Sequence, residues 1–317
     1  MTAKILIDCD PGIDDALAIA LAAGASELDI VGITTVAGNV TLDKTTANAL
    51  QVCDYLGLSD VPIVAGSATP LLRNLVVADD VHGESGLGGV ALPQPQRRHM
   101  QGHAADFIAE TVRSAPGEIT LVAIGPLTNI ALAVRRDPEI VRLVREFVIM
   151  GGAATVPGNL TPAAEFNIAV DPEAAAIAFD AGWTTTMVGL DVTRKARADA
   201  AAMERMRGYG PLSDDLLVPC LEFYTGHPAH SAEGPAVHDA CAVAYVARPE
   251  LLECHDARVE VETTGRLTYG MTVTDLAAPA TACNARVALG VDAPALWSLV
   301  DTAYTRLVHG REEPARP

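Results

Sequence analysis

The feature that most constrains the fold of this chain is a repeated pairing of segments. Short runs that are apolar throughout, rather than alternating, are each followed by a longer Ala-rich stretch of helical periodicity. Lys4 to Ile7 precedes Asp14 to Ala25, Asp29 to Val36 precedes Leu42 to Leu56, and Ile119 to Ile124 precedes Leu127 to Arg136. Phe147 to Met150 and Thr184 to Leu190 continue the rhythm on either side of a helix-like Pro172 to Ala181. A strand that is apolar on both faces is buried on both faces, as in a parallel sheet covered by helices. The expected fold is therefore α/β: a single doubly wound, mainly parallel sheet with helices on both faces. In such sheets ligands bind outside the carboxyl ends of the strands, so the residues just after each apolar run are where chemistry is expected.

Nothing in the 317 residues marks a domain boundary, an internal repeat or a low-complexity linker, so residues 1–309 are expected to form a single domain. The charged, Pro-bearing stretch 310–317 has no apolar anchor and is expected to be a disordered tail. Half of the residues are apolar and a fifth are charged, a globular balance. Forty acidic residues against twenty-two basic ones leave a formal net charge of −18, which repels nucleic acid polymers and anionic membranes alike. The 4% of aromatic residues supplies no stacking platform for single strands. No stretch stays both uncharged and apolar over the roughly 18 residues of a spanning helix, and the amino-terminal residues leave no room for the apolar core of a signal peptide. Cys9, Cys53, Cys220, Cys241, Cys254 and Cys283 are scattered without a CxxC pair, three of them inside apolar runs, and read as reduced and structural. A cytoplasmic location follows as an expectation.

The first apolar run ends in Asp8-Cys9-Asp10-Pro11-Gly12-Ile13-Asp14-Asp15, four carboxylates within eight residues at the mouth of the expected crevice. Asp14 and Asp15 suit the first turn of a helix, where the dipole favours negative charge. That does not account for Asp8 and Asp10 at a strand end, whereas a divalent cation with oxygen ligands would resolve the repulsion. Pro-Gly between them sharpens the turn and lets the aspartates converge. An EF-hand needs Glu at its twelfth position, and counting from Asp8 that place holds Ile19. A strand ending in DxD also resembles the first motif of haloacid-dehalogenase phosphatases, with Asp8 as nucleophile and Asp10 as acid. Such enzymes need a Lys before a late acidic pair, and none of Lys4, Lys44 and Lys195 is followed by one.

The whole string DCDPGIDDALAIALA closely resembles the amino-terminal signature of the inosine-uridine-preferring nucleoside hydrolases, with Cys9 where that family usually has Thr. Further matches follow in order. Val36 to Val40 resembles the family's second strand end, His82-Gly83-Glu84-Ser85-Gly86-Leu87 its HGE-G-L loop, and Gly125-Pro126-Leu127-Thr128-Asn129 the turn before its central helix. Met150-Gly151-Gly152 with Ala164-Glu165-Phe166-Asn167 resembles the MGG…AEFN block, and Pro235 to Tyr245 the late HD motif.

The resemblance implies calcium-dependent hydrolysis of the N-glycosidic bond of ribonucleosides to ribose and a free purine or pyrimidine base. It implies Asp10, Asp15, the main-chain carbonyl of Ile124 and Asp239 as ligands of Ca2+. Calcium lowers the pKa of bound water less than zinc does, so a carboxylate should take the proton, and Asp10 is the expected base. Asp14, Asn39, Glu165 and Asn167 stand at positions that grip ribose hydroxyls, with Met150 against the sugar. Glu165 and Asn167 flank Phe166, and alternate facing would aim both into one cavity. His238, next to Asp239, is the expected acid for the leaving base, and His82 lines the site. His227 and His230 lie where the family varies and commonly carries Tyr or Gln; His230 is the one expected against the substrate, with Tyr224 a weaker candidate. A ribonucleoside is thus the expected small-molecule partner, with a homodimer or homotetramer as the assembly. The competing expectations are a phosphatase of haloacid-dehalogenase type and a non-catalytic protein that binds calcium and ribose.

Overall fold

The structure is a computed structural model that describes residues 2–226 and 234–312; His227 and His230 lie outside them. Nine strands form one sheet: β1 (Ala3–Cys9), β2 (Leu28–Thr35), β3 (Ile63–Ala65), β4 (Ile119–Ala123), β5 (Glu146–Met150), β6 (Thr185–Val188), β7 (Leu252–Val261), β8 (Thr272–Asp275) and β9 (Ala285–Val291). Their spatial order is β3-β2-β1-β4-β5-β6-β9-β7-β8. From β3 through β9 neighbouring strands pair parallel, and β7 joins β9 and then β8 in antiparallel fashion. The chain fills one half of the sheet outward from β1 and the other outward from β4. Between these two strands the order reverses, and a crevice opens at their carboxyl ends.

Helices cover both faces, and β1 shows why. Ile5 and Ile7 pack into one core with the helices Ile13–Gly24 and His238–Ala247, while Leu6 packs into the other with Ala104–Ser114 and Thr128–Arg136. All three side chains are fully buried, as a strand apolar on both faces requires. The helix Ile13–Gly24 is buried at eleven of its twelve positions and, beyond Asp14 and Asp15 in its first turn, is apolar all round rather than amphipathic. A Cβ at Gly24 would overlap the Ala303 backbone, so the small residue lets this helix lie directly on the carboxyl-terminal one. Burial of about 25 cal/mol per Å2 of apolar surface, summed over such close contacts, replaces what large aromatic residues supply elsewhere.

The sequence-read strands and helices appear within a residue or two of their expected ends. The short β3 and the three strands β7, β8 and β9 were not anticipated. β7 is antiparallel and half-exposed, with buried Ala257 and Val259 among solvated neighbours, so it carries no uninterrupted apolar run. The last helix, Ala293–Glu312, carries the chain past Gly310, where the loose tail was expected to begin; residues 313–317 lie outside the described ones. All six cysteines are free. Among the described residues no helix is long and apolar enough to cross a membrane.

Candidate active site

β1 delivers Asp10 to the crevice, and the helix that begins at Ile13 delivers Asp14 and Asp15 in its first turn. Asp15 acts as a local cap: its Oδ2 accepts the Gly12 amide at 2.8 Å and its Oδ1 the Asp10 amide at 3.2 Å. Asn39, just past β2, ties these groups together. Its backbone N–H donates to Asp10 Oδ2 at 2.7 Å, and its Nδ2 donates to Asp15 Oδ2 at 3.0 Å. Asp10 Oδ1 is buried and has no hydrogen-bond partner. Cβ atoms at Gly38 and Gly125 would overlap the Asp10 carboxylate, so two glycines from neighbouring strand ends form its walls.

Gly12 has φ −107°, open to any residue, so its requirement is not the sharp turn expected from sequence. A Cβ there would lie 2.5 Å from His82 Nδ1 and 2.7 Å from Asn39 Nδ2: close approach, not backbone conformation, selects glycine. His82 ends the short helix Asp79–His82, where Nδ1 accepts the Ile13 amide at 3.1 Å. Its Nε2 is 3.3 Å from the Tyr224 hydroxyl, which donates to Asp14 Oδ1 at 3.2 Å.

Glu165 and Asn167 arrive by a different route from the alternating strand expected. Glu165 is the N-cap of the helix Phe166–Val170, accepting the amides of Asn167, Gly152 and Ile168 at 3.0, 3.0 and 3.2 Å. Asn167 is the second helical residue, and its Nδ2 donates to the carbonyls of Ile124 at 3.0 Å and Met150 at 3.1 Å. The Ile124 carbonyl therefore already accepts one hydrogen bond. His238 and Asp239 open the helix His238–Ala247, and His238 Nδ1 is 2.8 Å from Thr193 Oγ1.

These groups meet around a cavity of about 470 Å3. Asp14, Asn39, His82, Ile124, Met150, Glu165, Asn167, His238, Asp239 and Tyr224 all line it; Asp10 and Asp15 are fully buried and stand behind that lining. Carboxylate oxygens of Asp14, Asp15 and Asp239 lie within 4.8 Å of one another, a group able to hold a metal ion. Asp14, expected only at the sugar, thus stands with the expected metal ligands, while Asp10 is outside that trio. Burial pushes every one of these acids upward: Asp14 to about 6, and Asp15 to about 7 with repulsion from Asp14 adding. Asp10 and Asp239 are held well above the usual carboxylate range by burial, then by Asp15 and Asp14 respectively. Burial also pushes Glu165 to about 7 against its three amides. Crowded, dehydrated carboxylates with an orphaned oxygen among them are what a hard cation with oxygen ligands relieves.

Asp8, the nucleophile of the phosphatase reading, is fully buried and does not line the cavity. Its Oδ1 accepts Thr34 Oγ1 at 2.5 Å and Asn129 Nδ2 at 2.8 Å, and its Oδ2 is buried without a hydrogen-bond partner. The sequence model of the inosine-uridine preferring nucleoside hydrolases matches residues 5–298. The chain belongs to this family.

The hydrolase is 45% identical over 312 residues to the inosine-uridine preferring nucleoside hydrolase of Leishmania major, covering 97% of this chain and 99% of that one. It is 46% identical over 280 residues to the pyrimidine-specific ribonucleoside hydrolase RihA of Citrobacter koseri, covering 87% and 89%. Its structure superposes on the purine-preferring ribonucleoside hydrolase from Gardnerella vaginalis with a TM-score of 0.91 at 32% identity, over 96% and 99% of the chains. It is a nucleoside N-ribohydrolase. Its cavity also has residues that sequence reasoning passed over, among them Asp80, Leu160, Phe166, Arg194 and Arg197. The arginines come after β6 but beyond the turn Leu190–Thr193, so the rule of inspecting the residues just after each strand does not reach them. Arg194 donates to the carbonyls of Pro157 and Gly158, and Arg197 to that of Gly234, so both also brace loops at the rim.

Proposed function

We propose that this hydrolase cleaves the N-glycosidic bond of ribonucleosides, with calcium held by Asp10, Asp15, Asp239 and the Ile124 carbonyl. The convergence of the Asp14, Asp15 and Asp239 oxygens within 4.8 Å at the cavity floor carries this reading. Asp14 belongs to that group and also lines the cavity, which supports a role toward both the ion and the sugar hydroxyls. When bound, the cation would draw a water and ribose hydroxyls onto one centre and make that water more acidic.

The chain's own groups supply the rest. Asn39, Asn167 and Glu165 hold the sugar beside fixed negative charge, which favours the positive charge that develops as the C1′–N bond breaks. Asp10 takes the proton of the attacking water, whose oxygen joins C1′. The departing base leaves with the bonding electron pair and takes a proton from His238. Met150 packs against the ribose, and His82 and Tyr224 border the base side. His230 is retained as a further substrate contact on the family resemblance alone.

The cytoplasm is the proposed location, supported by six free cysteines. Residues 1–309 are proposed to act as one domain, supported by the single sheet, and a homodimer or homotetramer remains the proposed assembly. The deciding experiment is free-base release from inosine, adenosine, uridine and cytidine with and without a chelator, beside phosphate release from a phosphomonoester. Base release that stops on chelation and returns with calcium is expected. Phosphate release without base release overturns the reaction, no turnover at all favours a binding protein, and base release indifferent to chelator overturns the calcium assignment.

A further inference from the structure

The reading of His238 as the proton donor leaves open what fixes its ring, and the short turn after β6 supplies an answer. Gly189 follows β6, and a Cβ there would lie 2.7 Å from the Gly152 carbonyl oxygen, so the chain turns tightly against the Gly151-Gly152 step. The turn Leu190–Thr193 then begins, with the Leu190 amide donating to that same carbonyl at 2.9 Å. Three residues on, at Ala196, the chain is clipped to the segment that leads into His238. The Val237 amide donates to the Ala196 carbonyl at 3.0 Å, and the Ala198 amide to that of Pro235 at 2.8 Å. These bonds fix the register between the turn and His238, and Thr193, fully buried, meets the ring at Nδ1.

We propose that Thr193 is the positioning residue of the leaving-group acid: it anchors His238 through Nδ1 and so makes Nε2 the nitrogen that delivers the proton. The inference rests on the proposed role of His238. The chemistry favours a hydroxyl here. While the imidazole carries both protons, Nδ1–H donates to Thr193 Oγ1; once Nε2 has given its proton to the base, the neutral ring keeps Nδ1–H and the same bond. One hydrogen bond thus serves the ring before and after transfer, which a carboxylate partner would do less evenly because it would favour the charged form. Nε2 is the ring nitrogen turned away from Thr193. Among the described residues the charged groups that line the cavity with His238 are Asp14, Asp80, Glu165 and Asp239, with Arg194 and Arg197.

The test uses two substrates that differ in how much the leaving group needs a proton. Inosine loses a basic ring, whereas the 4-nitrophenyl β-riboside loses a weakly basic phenolate that departs unprotonated. Thr193→Val keeps the shape and removes the hydrogen bond. It should lower kcat for inosine about 10- to 100-fold, the usual cost of losing a partner that orients an active imidazole, with little change in KM. Turnover of the nitrophenyl riboside should stay within about threefold, and Thr193→Ser should restore most of the inosine rate. In a His238→Ala background Thr193→Val should add no further loss on inosine. Equal losses on both substrates, or an inosine rate unchanged in both Thr193→Val and Thr193→Ala, would overturn the assignment of Thr193. If His238→Ala itself fails to separate the two substrates, the acid role of His238 falls and Thr193 with it. If His238→Ala separates them and Thr193→Val does not, Thr193 alone is wrong.

Discussion

His82 accepts the backbone N–H of Ile13 through Nδ1 at 3.1 Å, across 69 positions of sequence. A cavity residue thus closes the first turn of the helix that presents Asp14 and Asp15. Gly12 precedes that helix with no side chain of its own to cap it, and His82 fills the space a Cβ would occupy. His82→Ala should therefore cost stability as well as turnover, by about 1 kcal/mol for the lost bond to a buried amide. Urea unfolding of the metal-free protein measures the first effect and kcat on inosine the second. A loss of activity with unchanged stability would show that the Ile13 bond contributes nothing.

Gly38 and Gly125 wall the Asp10 carboxylate, and a methyl group at either would overlap it. Gly38→Ala should destabilise the fold by about 1–3 kcal/mol, the usual cost of overpacking a filled site, and weaken calcium binding in titration calorimetry. Wild-type affinity in a folded Gly38→Ala protein would mean that the Asp10 carboxylate is free to move.

Asp10→Asn should keep the shape of the site and remove the proposed proton acceptor. The expected loss in kcat is about 10²- to 10⁴-fold, with a far smaller change in KM. Near-wild-type turnover would assign the base to another carboxylate.

Calcium should stabilise the protein strongly, because it relieves repulsion among acids that burial already holds above their ordinary range. At a hundred times its dissociation constant the gain is about 2.7 kcal/mol, read as a rise in Tm that a chelator reverses. Magnesium prefers a smaller six-oxygen shell and should raise Tm less. A Tm indifferent to both ions would remove the metal site.

Glu165 sets a pH dependence whose sign can be worked out. Burial raises its folded pKa from 4.5 to about 7, so between those values the folded state holds a proton that the unfolded chain has lost. Its contribution to stability is complete below the unfolded pKa and is lost as pH rises through about 7. The unfolding free energy of the metal-free protein should fall between pH 4.5 and about 7, by at most about 1.4 kcal/mol per pH unit for this one group. Glu165→Gln should show a flatter profile over the same window in urea titrations. Parallel profiles would mean that Glu165 stays ionised throughout.

Much of this site was legible because its residues sit in short local patterns. Asp10, Asp14 and Asp15 follow an apolar strand, and His238 precedes Asp239 at a helix start. Glu165 and Asn167 were found for the wrong local reason: a cap and the second residue of a helix reach the cavity where an alternating strand was expected. Thr193 gave no signal, since a buried threonine after a strand looks like any other, and its meaning comes from a ring 45 positions away. The half-exposed β7 was missed because its burial alternates irregularly.

The sequence by itself determined the layers, because uninterrupted apolar strands can be buried only under helices on both faces, and it placed the acids at the end of the first strand. Tertiary structure alone decided that β1 lies beside β4, which carboxylates gather across more than two hundred positions, and which partner each cavity histidine meets at Nδ1. Burial patterns are local and repeat with the period of the element. Strand order and side-chain convergence depend on which distant segments pack together, and the same burial that drives that packing raises the proton affinity of the acids it encloses.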